Sequence, residues 1–373
     1  MSRELALFTV IAILAGLSAS RCADAQGDLA WHDATEFQIE GRGWTDTESP
    51  YDRLPAHAKG SVPDGVWGLS KQSAGLCVRF QTSAHSVSVR WELTSENLAM
   101  PHMPATGVSG VDLYRRAADG SWRFVQNGRP SGRTGNLMTA GLPAASTPTE
   151  CLLYLPLYNG VRKVEIGVPA GATIEKAPLR PETKQRPIVY YGTSIAQGGC
   201  ASRPGMAHTA ILNRLLDRPI INLGFSGSGR MEPAVSTLLA ELDPALYIID
   251  CLWNIGAMPE PEFTSRLTTL VETIRKAHPR TPILFVGQSQ IHTELPMSRI
   301  EKLQETLVKR LRARGTVGLS LCAGKNLMGS DGDGTVDGVH PNDLGMRRQA
   351  DAMAPIVADL LRKEAADPRR PKP

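Results

Sequence analysis

The sequence predicts two units: an all-β sandwich over residues 26–180, then a three-layer α/β sandwich with a five-stranded parallel sheet over 187–363. From about residue 31 to 177, short runs of alternating apolar and polar residues are separated by turn residues, with no convincing amphipathic helix among them. After Pro187 the rhythm changes to short apolar, β-branched runs that alternate with longer segments of helical periodicity. Between the two, residues 179–187 (LRPETKQRP) are polar and proline-bearing, a composition suited to a junction.

In the first half the runs are 76–80 (LCVRF), 86–91 (SVSVRW), 110–114 (GVDLY), 122–125 (WRFV), 152–155 (LLYL) and 161–168 (VRKVEIGV). Period-two alternation marks strands with one buried face, and the breaks at 118–120 (ADG) and 158–160 (YNG) are turn chemistry. Strands of this number and spacing argue a β-sandwich of jelly-roll type. In the second half, strands are expected at 188–191, 219–222, 246–250, 282–286 and 317–321, and helices at about 206–216, 233–241, 261–278, 297–314 and 343–362. In the fourth helix Ile300, Leu303, Leu307 and Leu311 fall on one face. Strand–helix alternation requires a parallel sheet with helices over both faces, and five strands fit a flavodoxin-like order.

A formal charge of +4 over 373 residues, with no Lys/Arg-rich run, argues against nucleic-acid binding. The only basic cluster is in the Pro-rich end (DPRRPKP), so 364–373 is read as a disordered tail. At the other end Arg3, the apolar run from Leu5 to Leu17 and Ala23-Asp24-Ala25 form an export signal over 1–25, with a mature start at Gln26. The apolar run is too short for a comfortable membrane span, so the expectation is a periplasmic or secreted protein with no membrane association once the signal is removed. A lipid anchor at Cys22 is disfavoured because Arg21 stands where a small residue is wanted. Removal of Cys22 leaves Cys77, Cys151, Cys200, Cys251 and Cys322, an odd number without metal-binding spacing. Pairing of Cys200 with Cys251 stays open, since both lie near sheet-edge motifs and export allows disulfides.

The chemistry centres on Tyr190-Tyr191-Gly192-Thr193-Ser194, where an apolar strand stops at a glycine and presents a hydroxyl. Ser194 is read as a nucleophile; the alternative is that Thr193 and Ser194 only cap the next turn. A hydroxyl nucleophile needs a base, a group to orient it, and donors for an oxyanion. His340 is the candidate base, with Asp337 three residues before it to orient the imidazole and Asp343 free to cap the last helix. The glycine-rich end of the second strand (Gly224-Phe225-Ser226-Gly227-Ser228-Gly229) offers backbone donors, and Asn254 beyond the third strand offers an amide. Neither phosphate-loop nor dinucleotide spacing occurs. Ser226 lacks the final glycine of G-x-S-x-G, and 331–335 (DGDGT) departs from a calcium loop and reads as a solvated turn. Arg203 and Trp253 flank the pocket as possible substrate contacts, with an ion pair and core packing as the plainer readings. His32, His57, His85, His102, His208, His278 and His292 show no ligand spacing; only His292, after the fourth strand, is a candidate to line the cleft.

Together the blocks run Ser194, Gly227, Asn254, then Asp337-x-x-His340. This order resembles the SGNH (GDSL-like) hydrolase superfamily. The G-x-D-L-Y run at 110–114 and the stretch 197–205 (QGGCASRPG) are similar to its branch with an N-terminal β-sandwich, whose relatives include carbohydrate acetylesterases. The resemblance implies a catalytic triad of Ser194, His340 and Asp337, and an oxyanion hole from the Ser194 and Gly227 N–H groups with the Asn254 side chain. It implies no metal and no organic cofactor. Two departures stand out: Gly192-Thr193-Ser194 replaces G-D-S, and Leu252-Trp253-Asn254-Ile255 replaces G-x-N-D, which leaves Asn254 the least secure member. The expected function is an exported serine esterase acting on O-acetyl groups of poly- or oligosaccharides. The rivals are a lipid- or aryl-ester hydrolase with the same residues and a carbohydrate-binding protein on a hydrolase scaffold.

Overall fold

The computed structural model describes residues 28–292, 294–325 and 327–366. The predicted export signal and residues 367–373 of the predicted tail lie outside the described residues.

Ten strands build the first half: β1 (Leu29–Asp33), β2 (Gln38–Glu40), β3 (Cys77–Thr82), β4 (Ser86–Leu93), β5 (Val111–Arg116), β6 (Trp122–Gly128), β7 (Asn136–Gly141), β8 (Thr149–Tyr154), β9 (Val161–Pro169) and β10 (Ile174–Lys176). One sheet has the order β1-β9-β4-β7; the other is β10-β3-β8-β5-β6, with β2 also on β3. Without the short β2 and β10 this is a jelly roll: the first strand pairs with the last, and the chain passes repeatedly between the sheets. Trp91, Phe80, Val89, Leu113, Leu153 and Ile166 are among the buried residues of its core. Two helices interrupt the strands, contrary to expectation: α1 (Asp64–Ser70) and the single turn α2 (Ala105–Val108). Both are short and glycine-bearing, and α1 buries only Val66 and Ser70, so neither leaves a helical stripe in the sequence.

The second half carries β11 (Ile188–Gly192), α3 (Ser194–Gln197), α4 (His208–Leu216), β12 (Ile220–Gly224), α5 (Pro233–Glu241), β13 (Leu246–Asp250), α6 (Glu260–Ala277), β14 (Ile283–Val286), α7 (Arg299–Ala313), β15 (Leu319–Cys322) and α8 (Asp343–Ala365). The strands form one parallel sheet in the order β12-β11-β13-β14-β15. Every residue of β11, β12 and β13 is buried because both sheet faces are covered. Val189 and Tyr191 share a core with α5, α6 and α7, while Ile188 and Tyr190 face α4 and α8. In α7 the expected stripe is in place, with Ile300, Leu307 and Leu311 buried and Leu303 partly so. α8 runs to Ala365, past the predicted end, and Glu364 in its last turn pairs with Arg186 at 2.5 Å.

The halves share a core: Cys77, Tyr114, Leu152 and Tyr154 of the sandwich pack into the cluster that includes Ala210, Ile211 and Leu212 of α4. The polar junction is pinned, since Arg180 is buried and pairs with Glu40 (2.9 Å) and Asp217. All five described cysteines are buried and unpaired, so Cys200 and Cys251 are not bridged. Among the described residues no helix is long and apolar enough to cross a membrane.

Candidate active site

Parallel register delivers three chain segments to one edge. Gly192 pairs with Gly224 on one flank and with Asp250 on the other, so whatever follows each strand converges where the strand order reverses. Ser194 follows β11, residues 225–229 follow β12, and Asn254 follows β13.

After Gly192 the chain turns into α3. Thr193 caps it, its Oγ1 accepting from the Ile195 N–H at 3.3 Å, which leaves Ser194 as the first helical residue with its hydroxyl free for other work. Ser194 Oγ lies 2.9 Å from His340 Nε2, and His340 Nδ1 lies 2.7 Å from Asp337 Oδ2. The other Asp337 oxygen accepts the N–H groups of His340 (2.8 Å) and Val339 (3.0 Å). Partial burial alone would raise the Asp337 carboxyl; the donors from His340 and Val339 outweigh it and bring the pKa down to about 2. An imidazole held between a hydroxyl and an ionised carboxylate can take the hydroxyl proton while the carboxylate stabilises the imidazolium.

The turn after β12 is built for donors. Gly224 has no room for a side chain, since a Cβ there would lie 2.1 Å from the Gln197 nitrogen of α3. Gln197 is buried; its Oε1 accepts the Ser226 N–H (3.0 Å), and its Nε2 donates to Gln72 Oε1 (2.5 Å) and Leu157 O (3.1 Å). Gly227 then takes φ +67°, the left-handed conformation that favours glycine. Neither its N–H nor that of Ser194 has an acceptor among the described residues, which is what a developing oxyanion requires. Asn254 Nδ2 donates to Phe225 O (3.3 Å) and Gly229 O (3.2 Å), so it ties this turn together and reaches an oxyanion only by releasing one of these long bonds.

The sandwich reaches the same edge. Tyr158 donates its hydroxyl to Ser194 O at 3.2 Å. The ring of His102, at the tip of the turn between Met100 and Met103, stands 5.9 Å from the His340 ring, centroid to centroid. The buried Arg53 donates to Gly224 O at 2.7 Å.

Two expected assignments change. Arg203 is not offered to a substrate: its Nη1 donates to Asp112 Oδ2 and Tyr114 Oη, both at 2.7 Å, and its guanidinium lies 4.0 Å over the Phe124 ring. The G-x-D-L-Y run is thus a clamp on the loop after Ser194, since Asp112 Oδ2 also accepts the Gly205 N–H (2.8 Å). The cap of α8 is Asn342, accepting from the Gly345 N–H at 3.1 Å, because Asp343 instead accepts from the Ser202 N–H (2.8 Å) and hydroxyl (2.5 Å). Trp253 is half-buried beside Asn254 and donates to Ser289 Oγ at 2.9 Å. Asp331 pairs with Arg348 at 2.7 Å. His292 packs against the loop at Gly332.

Gln197, Tyr158 and His102 escape sequence reasoning. Gln197 follows Ser194 by three residues, which is a usable signal; the other two meet the site only through the tertiary fold.

Residues 185–358 match the family model described as GDSL-like lipase/acylhydrolase, and residues 29–174 match GxDLY, the N-terminus of SGNH-hydrolase-type esterases. A Bacteroides ovatus structure described as a GDSL-like lipase superposes with a TM-score of 0.79 at 33% identity, over 90% of this chain and 98% of its own. Two further structures share the fold. A salicylyl-acyltransferase from a tetracycline biosynthetic pathway has TM-score 0.72 and 21% identity, over 92% of this chain and 99% of its own. A family two carbohydrate esterase from Clostridium thermocellum, in complex with cellohexaose, has TM-score 0.54 and 13% identity, over 77% of this chain and 93% of its own. Comparison with curated proteins gives no match. The chain belongs to the GDSL-like (SGNH) hydrolase family of esterases, in the branch whose α/β half follows a GxDLY sandwich.

Proposed function

We propose that the protein is an exported serine esterase that removes small acyl groups, acetyl above all, from poly- or oligosaccharides. The observation that carries the reading is the relay from Ser194 through His340 to Asp337, at 2.9 and 2.7 Å, beside two uncommitted N–H groups. In this reading Ser194 Oγ attacks the ester carbonyl carbon while His340 Nε2 takes its proton. The carbonyl oxygen becomes an oxyanion held by the N–H groups of Ser194 and Gly227, joined by Asn254 once one of its bonds to the turn gives way. The carbon–oxygen bond to the alcohol then breaks, and His340 returns the proton to the departing oxygen. Water, deprotonated by His340, hydrolyses the acyl-enzyme by the same steps in reverse. Each step is met by these groups, so no metal or organic cofactor enters. Trp253, beside Asn254, is assigned to the substrate wall.

The ester class follows from the family; the glycan draws support from the fold shared with carbohydrate esterases. Export, with a mature start at Gln26, rests on residues 1–25 and agrees with an extracellular polymer as substrate. The test compares p-nitrophenyl acetate and butyrate hydrolysis by the mature protein and by Ser194→Ala. Fast acetate turnover, much slower butyrate turnover and loss of both in the variant is the expected result. Equal rates in variant and wild type would remove Ser194 as nucleophile; comparable butyrate turnover would discard the small-acyl preference.

A further inference from the structure

We propose that the sandwich supplies the subsite for the departing alcohol, with His102 as its first contact and a cavity on the far side of Pro101 as its extension, and that this subsite takes a polyhydroxylated alcohol. The inference rests on the esterase reading above and specifies which part of the molecule recognises the sugar.

The direction of proton transfer places the alcohol. His340 Nε2 receives the proton of Ser194 Oγ and must deliver it to the alkoxy oxygen as the carbon–oxygen bond breaks. The alcohol half of the substrate therefore lies against the exposed side of the His340 ring. Two neighbours of that ring are Gly199, where a Cβ would lie 3.2 Å from His340 Cδ2, and the His102 ring at 5.9 Å and a tilt of 54°. His102 is exposed, and neither of its ring nitrogens has a hydrogen-bond partner among the described residues. One nitrogen of a neutral imidazole accepts and the other donates, so it can bind a hydroxyl vicinal to the ester while His340 protonates the leaving oxygen. His102 itself gains and loses no proton in the step.

The backbone that carries the ring is held in place before substrate arrives. Met100 and Met103 exchange backbone hydrogen bonds (2.9 and 3.1 Å), which leaves Pro101 and His102 at the tip of a tight turn. Met103 is buried beneath it, and three residues on Thr106 donates its hydroxyl to Ser202 O at 2.6 Å, fastening the segment to the loop after the nucleophile. Preorganisation of this kind lowers the cost of binding.

Met100 and Pro101 also line a cavity of about 400 Å³, with Gln72, Thr94, Asn97 and Tyr158 among its walls. That volume lies within the range of small-ligand sites, about 300–1,000 Å³. Two of its lining residues brace the Ser194 segment from behind: Tyr158 donates to Ser194 O, and Gln72 accepts from Gln197. The exposed Thr94 and Asn97 give this cavity a hydroxyl and an amide for the hydroxyls of a sugar, while Met100 and Pro101 offer apolar surface to a ring face.

The test measures kcat/KM for an acetylated xylo-oligosaccharide and for p-nitrophenyl acetate, and follows the ratio of the two in wild type, His102→Ala and Asn97→Trp. The first variant removes the contact, and the second fills the cavity from an exposed position. Both should lower the ratio, by about 10- to 100-fold for His102→Ala, the loss of one or two hydrogen bonds to substrate. An unchanged ratio in both variants overturns the subsite while the esterase reading stands. If wild type cleaves p-nitrophenyl acetate but no acetylated sugar, the glycan assignment fails and the subsite with it.

Discussion

Replacing Asp112 by Asn tests whether the G-x-D-L-Y run acts as a clamp on the nucleophile loop. The Asp112 carboxylate is fully buried and accepts Arg203 Nη1 (2.7 Å), the Gly205 N–H (2.8 Å) and Asn127 Nδ2 (2.8 Å). Burial pushes its pKa up, against the pull of Arg203 and the other donors. Removing one partner of a buried pair costs about 3–5 kcal/mol. Arg203 has a side chain 21% exposed and keeps the Phe124 face and the Tyr114 oxygen, so the expected loss is smaller, about 2–3 kcal/mol. At about 2–4 °C per kcal/mol for a domain of 150–250 residues, Tm should fall by roughly 4–12 °C. The same loop holds Asp343 through Ser202, so slack there shifts the helix behind His340 against Ser194. Esterase kcat should therefore fall, by about tenfold, since a 1 Å misplacement can cost about a hundredfold. Thermal melts and p-nitrophenyl acetate rates on Asp112→Asn, Arg203→Met and the double variant complete a cycle. A coupling of about 1 kcal/mol or more is expected; additivity within about 0.5 kcal/mol would refute the clamp.

Asp337→Asn should lower kcat by about 10³–10⁴-fold, because an amide facing His340 Nδ1 favours the wrong tautomer. Its effect on the melt should stay near 1 kcal/mol, discounted because the side chain is 40% exposed; a rate loss below tenfold would remove Asp337 from the relay. The lowered Asp337 pKa means that its stabilisation is present above 3.8 and is lost as pH falls towards about 2. Asp250 behaves oppositely: burial pushes it up to about 6, and only the Tyr190 hydroxyl at 2.9 Å opposes the shift. Its contribution is complete below 3.8 and is lost as pH rises through about 6, at most about 3 kcal/mol at 1.36 kcal/mol per pKa unit. Asp250→Asn should flatten Tm against pH between 4 and 8, which parallel melting curves for variant and wild type would contradict.

The α/β half was legible because its signals are long and redundant. α6 carries Glu260 and Glu262 in its first turn, Arg275 and Lys276 in its last, and a buried Phe263-Leu267-Leu270-Val271-Ile274 stripe, all pointing to the same element. Parallel pairing then makes convergence of Ser194, the Gly227 turn and Asn254 automatic once the strands are known. The sandwich was less legible where tertiary pairing, not pattern, decides. In β7 the inward residues are Asn136, Met138 and Ala140. Asn136 reads as a surface residue, but its amide is satisfied inside by Trp91 O (3.1 Å) and the Ser131 N–H (2.8 Å). β2 and β10 are three residues long, too short for alternation to register. Arg203 looked available because its partner Asp112 lies 91 positions away, and His102 looked ordinary because its neighbour His340 is in the other half.

Arg53 shows why the turn after β12 depends on the sandwich. Its guanidinium is buried without a carboxylate, and burial alone lowers its pKa to about 9. A cation in such a place needs negative potential from elsewhere, and four carbonyls supply it. Nη2 donates to Leu69 O and Nε to Gln72 O, both at 2.7 Å, at the carboxyl end of α1, where helix carbonyls favour a positive charge. Nη1 donates to Gly224 O (2.7 Å) and Asn222 O (3.2 Å), at the end of β12. These two sets of carbonyl dipoles point toward one another and would repel across a buried gap without the cation between them. Arg53 therefore fixes the distance from α1 to the end of β12, and Gly227 lies three residues past that end. With Gln72 bound to Gln197 on the same side, the geometry of the turn is set jointly by both halves, so the α/β half alone lacks the partners that hold the Gly227 N–H in place.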